Sequence, residues 1–352
     1  MRGLQLLLIF LPVALLAHFV GISEIFVFAV SALAIIPLAK ILGEATEVLA
    51  EKTGPRIGGL LNATFGNAAE LIITLTAIRA GQMQLVLASI TGSILGNLLL
   101  VLGFAMLLGS LKNGRQMFDR RHVDTDATMT ILALIAMSVP SLFSLYIPDA
   151  MLVEELSLTS AAAMLILYVL FIVYTLKSCT SKKCEPVTVR EALPVHVWST
   201  NKALAVMGLS MVGIALMSEL LVASVEAVTA VLGLTPFFVG IIIVPIIGNV
   251  AEHLVSVQAA RQNKMDLSLS IALGSSLQIA LFVTPVLVFV SLLLGNPLTL
   301  QFNQLELIAL TAASMISALV SLDGESNWLE GAMLLAVYGI LGLAFFFLPL
   351  KL

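Results

Sequence analysis

The chain has 352 residues, length enough for two or three soluble domains, yet 60% of them are hydrophobic and only 11% charged. Soluble domains carry about a quarter charged residues, so a water-soluble globule is excluded. A bilayer core of about 30 Å takes about 20 apolar residues per helical crossing, which leaves room for about ten or eleven crossings and little besides.

In chain order, apolar runs bounded by charge, Gly or Pro predict eleven spans: 4–20, 23–47, 57–79, 85–109, 126–147, 157–176, 203–232, 235–260, 267–293, 304–322 and 329–349. The second and seventh are expected to bend near their ends. Arg2 ahead of the first run has the look of a signal peptide, but no clear small-residue cleavage site follows, and the segment reads as a retained leading helix. An odd number of crossings puts the termini on opposite sides. Of the 17 Lys and Arg, all but Arg79 and Lys351 then fall on the amino-terminal side. Positive residues gather on the cytoplasmic side, so the expectation is a multi-pass cell-membrane protein with its amino terminus inside and its carboxy terminus outside. Cys179 and Cys184 lie in a loop read as cytosolic, where thiols stay reduced, and are taken as bystanders. The net charge of −4 includes no basic patch, and no nucleic-acid partner is expected.

One ungapped self-match relates residue n to residue n + 182. It is clearest where Gly66-Asn67-Ala68-Ala69-Glu70 meets Gly248-Asn249-Val250-Ala251-Glu252. From 66 to 93 there are eleven identities in 28 positions, including Arg79 with Arg261 and Gly92-Ser93 with Gly274-Ser275; upstream, Glu44 meets Glu226. Shared hydrophobicity would not align Asn, Glu and Arg. Five predicted crossings separate the two copies, so they run in opposite directions, the inverted repeat of many secondary transporters. The expected fold is therefore all-α and integral to the membrane, with eleven transmembrane helices. A leading helix (1–22) precedes a first five-helix repeat (23–176), a cytoplasmic linker (177–202) and an inverted second repeat (203–352).

Glu70 and Glu252 fall near mid-depth of their spans. A carboxylate there costs about 3 kcal/mol by insertion scales, which marks both as functional candidates. Packed about a pseudo-two-fold axis, they would present up to −2 of charge to one cavity, which a divalent cation or two protons would satisfy. Oxygen ligands suit a hard ion such as Ca2+, whereas Zn2+ or copper would call for His or Cys. Asn67 and Asn249 with nearby backbone carbonyls are expected to complete the shell, and Ser93, Asn97, Ser275 and Gln278 to flank it. Pro245 favours a broken helix ahead of Gly248. His253, beside Glu252, is a candidate proton relay, because imidazole changes charge near neutral pH. Glu44 and Glu226, one near each mouth, are candidates for cation attraction or proton-linked gating. Glu47, Glu219 and Glu306 also lie within predicted spans, with no face assigned.

Two long signatures resemble the Ca2+/H+ exchanger family of the wider cation/Ca2+ exchanger superfamily. They are Gly66 to Ile73 with Gly92 to Gly103, and Pro245 to His253 with Gly274 to Phe282. The resemblance covers essentially the whole chain. It implies an eleven-helix antiporter that exports Ca2+ against protons by alternating access, with Glu70 and Glu252 as the shared Ca2+ and proton site. It also implies proton coupling at Glu44 and Glu226. One departure is the linker, short and basic here (Lys182, Lys183, Arg190), where many members carry an acidic segment. The expected partners are Ca2+, protons and the lipid bilayer, with no resident cofactor and no assigned oligomeric state. A Na+/Ca2+ exchanger would use the same frame but be expected to show a further acid where Asn97, Gln278 and Ile279 stand. A Ca2+-permeable channel needs neither proton coupling nor a turned-over repeat. An intramembrane enzyme lacks a His-Glu-x-x-His motif and any Ser or Asp partner for His253.

Overall fold

The computed structural model describes residues 5–146, 149–178 and 198–348. The linker expected at 177–202 lies outside the described residues over 179–197, with Cys179, Cys184, Lys182, Lys183 and Arg190; so do Arg2 and Lys351. The helices, in order, are α1 (Phe10–Val20), α2 (Glu24–Phe65), α3 (Ala68–Arg79), α4 (Met83–Leu95), α5 (Leu102–Asn113), α6 (Arg120–Phe143), α7 (Ala150–Ser178), α8 (Thr200–Ala223), α9 (Val225–Leu232), α10 (Pro236–Phe238), α11 (Val244–Arg261), α12 (Met265–Gln278), α13 (Thr284–Leu293), α14 (Gln304–Val320) and α15 (Trp328–Phe346). A short 3-10 turn, Leu6–Ile9, leads into α1. Three π-helical turns, Gly96–Val101, Val239–Ile243 and Ile279–Val283, join α4 to α5, α10 to α11 and α12 to α13.

Among the described residues eight helices are long and apolar enough to cross a membrane, and Leu6–Val20 and Gln304–Val320 are shorter apolar helices. This is a multi-pass membrane protein. The remaining expected span, 57–79, is organised differently from its reading. α2 does not stop at 47 but runs on through the charged stretch to Phe65. Gly58 sits against the carbonyl of Ala50, although eight residues of straight helix would separate them by about 12 Å. The helix is therefore sharply bent between Ala50 and Gly58. The break itself comes later, at Gly66-Asn67, directly ahead of Glu70. The bend expected near the end of the seventh span is present at Ser224, between α8 and α9.

A second correction concerns Pro245. The helix is not broken there: Pro245 lies in the first turn of α11, immediately after a π turn in which Val244 N–H donates to Val239 O, five residues back. The wider turn gives the proline ring room and makes its missing N–H harmless. Pro285 follows the Ile279–Val283 turn in the same way. The all-helical expectation also missed one small exception, the antiparallel pair β1 (Gln116–Met117) and β2 (Glu325–Ser326).

The chain forms two compact units, and neither coincides with a sequence repeat. Unit 1 comprises Met1–Ser89, Val195–Glu252 and Leu343–Leu352; unit 2 comprises Ile90–Pro194 and His253–Gly342. Each unit thus draws helices from both halves. In unit 1, α2 packs along α8, with Leu38 against Gly213, and Lys52 Nζ donates to Trp198 O at 2.6 Å. Arg79 and Glu219 form an exposed pair at 3.6 Å, worth little in stability. In unit 2, Gly331 lies so close to Gly103 that a Cβ there would meet its carbonyl at 2.6 Å, the small-residue crossing by which membrane helices pack.

The register of 182 recurs in the backbone. Gly81 (φ 74°) and Asn263 (φ 62°) are left-handed caps at the ends of α3 and α11. At the first, Gly81 N–H bonds Ile78 O and Gln82 N–H bonds Ala77 O; at the second, Asn263 N–H bonds Ala260 O and Lys264 N–H bonds Ala259 O. Each residue of the second set is the first plus 182, so both helices stop by the same hydrogen-bonded motif.

Candidate cation site

Glu70 occupies the third position of α3 and is buried, with 6% of its surface exposed. Its location follows from the break before it. Asn67 stands at the N-cap with φ −99° and ψ 24° and makes no side-chain cap bond, so the first N–H groups of α3 and the positive end of its dipole lie beside the acid. The Glu70 carbonyl accepts from Thr74 Oγ1 at 2.7 Å.

The side chain of Glu70 reaches α11. A Cβ added to Gly248 would meet Glu70 Oε1 at 3.0 Å and its Cδ and Cγ at 3.5 Å. Gly248 and Glu252 are four residues apart, one turn and about 6 Å along the same helix face. Glu70 is thus brought against the helix that carries its repeat-mate, within unit 1, and the contact depends on glycine at 248. The surroundings of the two acids differ. Glu70 opens a helix, whereas Glu252 is half-buried in the middle of α11, which is continuous from Val244.

Asn67 and Asn249 are both 1% exposed. Asn249 Nδ2 donates to Pro245 O at 3.0 Å, one turn back within α11. Of the expected flanking groups, the structure joins Asn97 and Ser275 in unit 2, where Asn97 Nδ2 donates to Ser275 Oγ at 3.0 Å. Ser93 is buried and Gln278 half-buried. His253 Nε2 is buried with no hydrogen-bond partner among the described residues. Of the two expected mouth acids, Glu44 pairs with Lys40 at 3.5 Å, one turn back on α2, and Glu226 is exposed in the first turn of α9. No group of three or more His, Cys, Asp or Glu side chains that could hold a metal ion occurs among the described residues.

Glu306, which the sequence left without a face, is 3% exposed. Its Oε2 accepts from Asn303 N at 2.8 Å and its Oε1 from Thr91 Oγ1 at 3.0 Å, while Asn303 Oδ1 accepts from Glu306 N. It closes a capping box at the start of α14. The signal is readable as Asn303-x-x-Glu306, the spacing of that motif.

The chain is similar to known proteins along almost its whole length. The family model described as "Sodium/calcium exchanger protein" matches residues 23–177 and 202–347. A Ca(2+)/H(+) antiporter of Aphanothece halophytica is 44% identical over 361 residues, covering 97% of this chain and 96% of that one. The Ca(2+)/H(+) antiporter ChaA of Bacillus subtilis is 41% identical, covering 96% of each. Among solved structures, native YfkE superposes with a TM-score of 0.86 at 38% identity, over 98% of this chain and 100% of that one. The H+/Ca2+ exchanger CAX (TM-score 0.73, 15% identity, 98% and 91% covered) shares the fold. Two signatures in register, a buried acid of the first seated against the helix of the second and relatives alike from end to end lead to one assignment: the chain belongs to the Ca2+/H+ exchanger family of the cation/Ca2+ exchanger superfamily.

Proposed function

We propose that this protein exports Ca2+ from the cytoplasm in exchange for protons by alternating access, with Glu70 and Glu252 as the carboxylates that Ca2+ and protons occupy in turn. The observation that carries the proposal is the seat of the Glu70 carboxylate over Gly248, one turn from Glu252. Two like charges so close repel, and the repulsion is relieved either by one divalent ion or by protonation. The two fillings are mutually exclusive, and mutual exclusion is what couples the two fluxes. Asn67 and Asn249 supply neutral oxygens beside the acids, and Ser93, Asn97, Ser275 and Gln278 serve the transported ion with neutral groups. The distribution of Lys and Arg supports an amino terminus inside and a carboxy terminus outside. Glu44 and Glu226 serve proton-linked gating, with Glu44 balanced by Lys40.

Purified protein in Ca2+-loaded liposomes tests the reading. An imposed proton gradient is expected to drive radiolabelled Ca2+ across the membrane without Na+. Flux that requires Na+ and ignores the proton gradient would move the protein to the Na+/Ca2+ class, and downhill leak uncoupled from either ion would make it a channel.

His253 adds a narrower expectation. Its ring lies next to Glu252 in sequence and leaves a buried nitrogen without a partner among the described residues. His253→Asn is expected to keep exchange but displace its pH profile, because Asn holds a comparable polar shape and binds no proton. A profile superimposable on that of the unaltered protein removes His253 from proton transfer.

A further inference from the structure

Two of the π turns stand in the repeat register. In the first, Leu102 N–H donates to Asn97 O, five residues back; in the second, Thr284 N–H donates to Ile279 O. Both members of the second bond are those of the first plus 182. A π turn widens the helix by one residue, so a carbonyl loses its usual donor four residues on, and some other group must satisfy it in a membrane interior.

The two copies differ in their side chains. At the second turn, Ile279 O accepts from Thr284 Oγ1 at 2.8 Å as well as from the Thr284 N–H, within the helix itself. The position equivalent to Thr284 is Leu102, which has no hydroxyl. There the Leu102 N–H goes to Asn97 O and Leu99 O, bypassing Leu98 O, and Leu98 O accepts instead from Ser317 Oγ of α14 at 2.9 Å. Ser317 is 1% exposed. The same helix α14 grips the helix before the turn through Glu306 and Thr91. Asn97 lies between these two grips, with its Nδ2 committed to Ser275 Oγ. That commitment turns the amide so that oxygen is the end offered to a hard cation.

We infer that Ser317 is a positioning residue for cation binding: its hydroxyl holds the first π turn so that Asn97 stays aligned on Ser275. The inference rests on the reading that Asn97 and Ser275 serve transported Ca2+. Ser317 acts through Asn97, so its removal affects how well Ca2+ is held more than how fast the loaded carrier turns over.

The test is the Ca2+ dependence of proton-driven exchange in liposomes. Ser317→Ala is expected to raise the apparent KM for Ca2+ roughly three- to tenfold, the loss of one buried hydrogen bond, with maximal rate nearly kept. Ser317→Thr retains the hydroxyl and restores the KM. In an Asn97→Ala background, adding Ser317→Ala is expected to change the KM no further. A Ser317→Ala protein with unaltered KM, one that loses only maximal rate, or full additivity with Asn97→Ala overturns the inference. Should the alanine variant fail to insert, Ser317→Cys, a weaker donor, is compared with Ser317→Thr: a higher KM for Cys supports the role, and equal values overturn it. Unaltered protein that moves no Ca2+ against protons overturns the functional reading and this inference with it; coupled exchange with an indifferent Ser317 overturns this inference alone.

Discussion

Replacing either Glu70 or Glu252 by Gln is expected to reduce proton-driven Ca2+ exchange by at least about a thousandfold while the protein still folds and inserts. A unit charge 4 Å from a divalent cation is worth about 8 kcal/mol at an effective dielectric of about 20, and since every 1.4 kcal/mol is about tenfold in occupancy, about half of that already gives a thousandfold. Gln keeps the size of Glu and its ability to accept hydrogen bonds. It is also less costly than Glu in a bilayer, so insertion is not the step that suffers. The two variants differ in what remains. Glu70→Gln leaves Glu252 half-buried in an unbroken helix, whereas Glu252→Gln leaves Glu70 at the opening turn of α3, where the helix dipole supports a negative charge. Flux into liposomes, normalised to protein recovered as a single species in detergent, reads the effect. Exchange at the unaltered rate in either variant would remove that acid from the site.

The acid pair is legible in the amino-acid sequence because Asn, Glu and Arg cannot align by hydropathy at a spacing of 182, and the same spacing reappears in the caps at Gly81 and Asn263 and in the π turns. Span positions are readable because a bilayer imposes a length on apolar runs. Backbone interruptions are not. Gly66-Asn67 and Gly248-Asn249 are the same dipeptide, yet the helix breaks at the first and runs through the second. The difference lies upstream: near Val239–Ile243 a π turn absorbs the strain of Pro245, while the first copy has a bend between Ala50 and Gly58 and then a break. Local propensity cannot say which device a membrane helix will use, because lipid removes water as the alternative partner and leaves the choice to neighbouring side chains such as Ser317. The compact units are hidden for a related reason. Each mixes helices from both halves, and composition carries no trace of which helices pack together.

Gly248 offers the second large effect, and it tests the geometry rather than the charge. Its missing side chain is what admits the Glu70 carboxylate: a Cβ would stand 3.0 Å from Oε1, tighter than ordinary contact, with Cδ and Cγ at 3.5 Å. Because the crowded atom is the end of a side chain, Gly248→Ala is expected to be tolerated by the fold. It would displace the carboxylate by a few tenths of an ångström and raise the Ca2+ requirement by about tenfold, the equivalent of about 1.4 kcal/mol. Gly248→Val places further atoms where the carboxylate lies. Exchange is expected to be lost altogether, although valine is common in membrane helices and costs little in helix propensity. Gly274, in the second signature on α12, is the control. A Cβ there meets nothing within 4 Å, so Gly274→Ala is expected to leave both rate and Ca2+ dependence unchanged. The comparison separates a glycine kept for one carboxylate from glycines kept for general packing. If Gly248→Val exchanges Ca2+ as well as Gly274→Ala does, Glu70 does not work from its seat on α11, and the acid pair must act in some other arrangement.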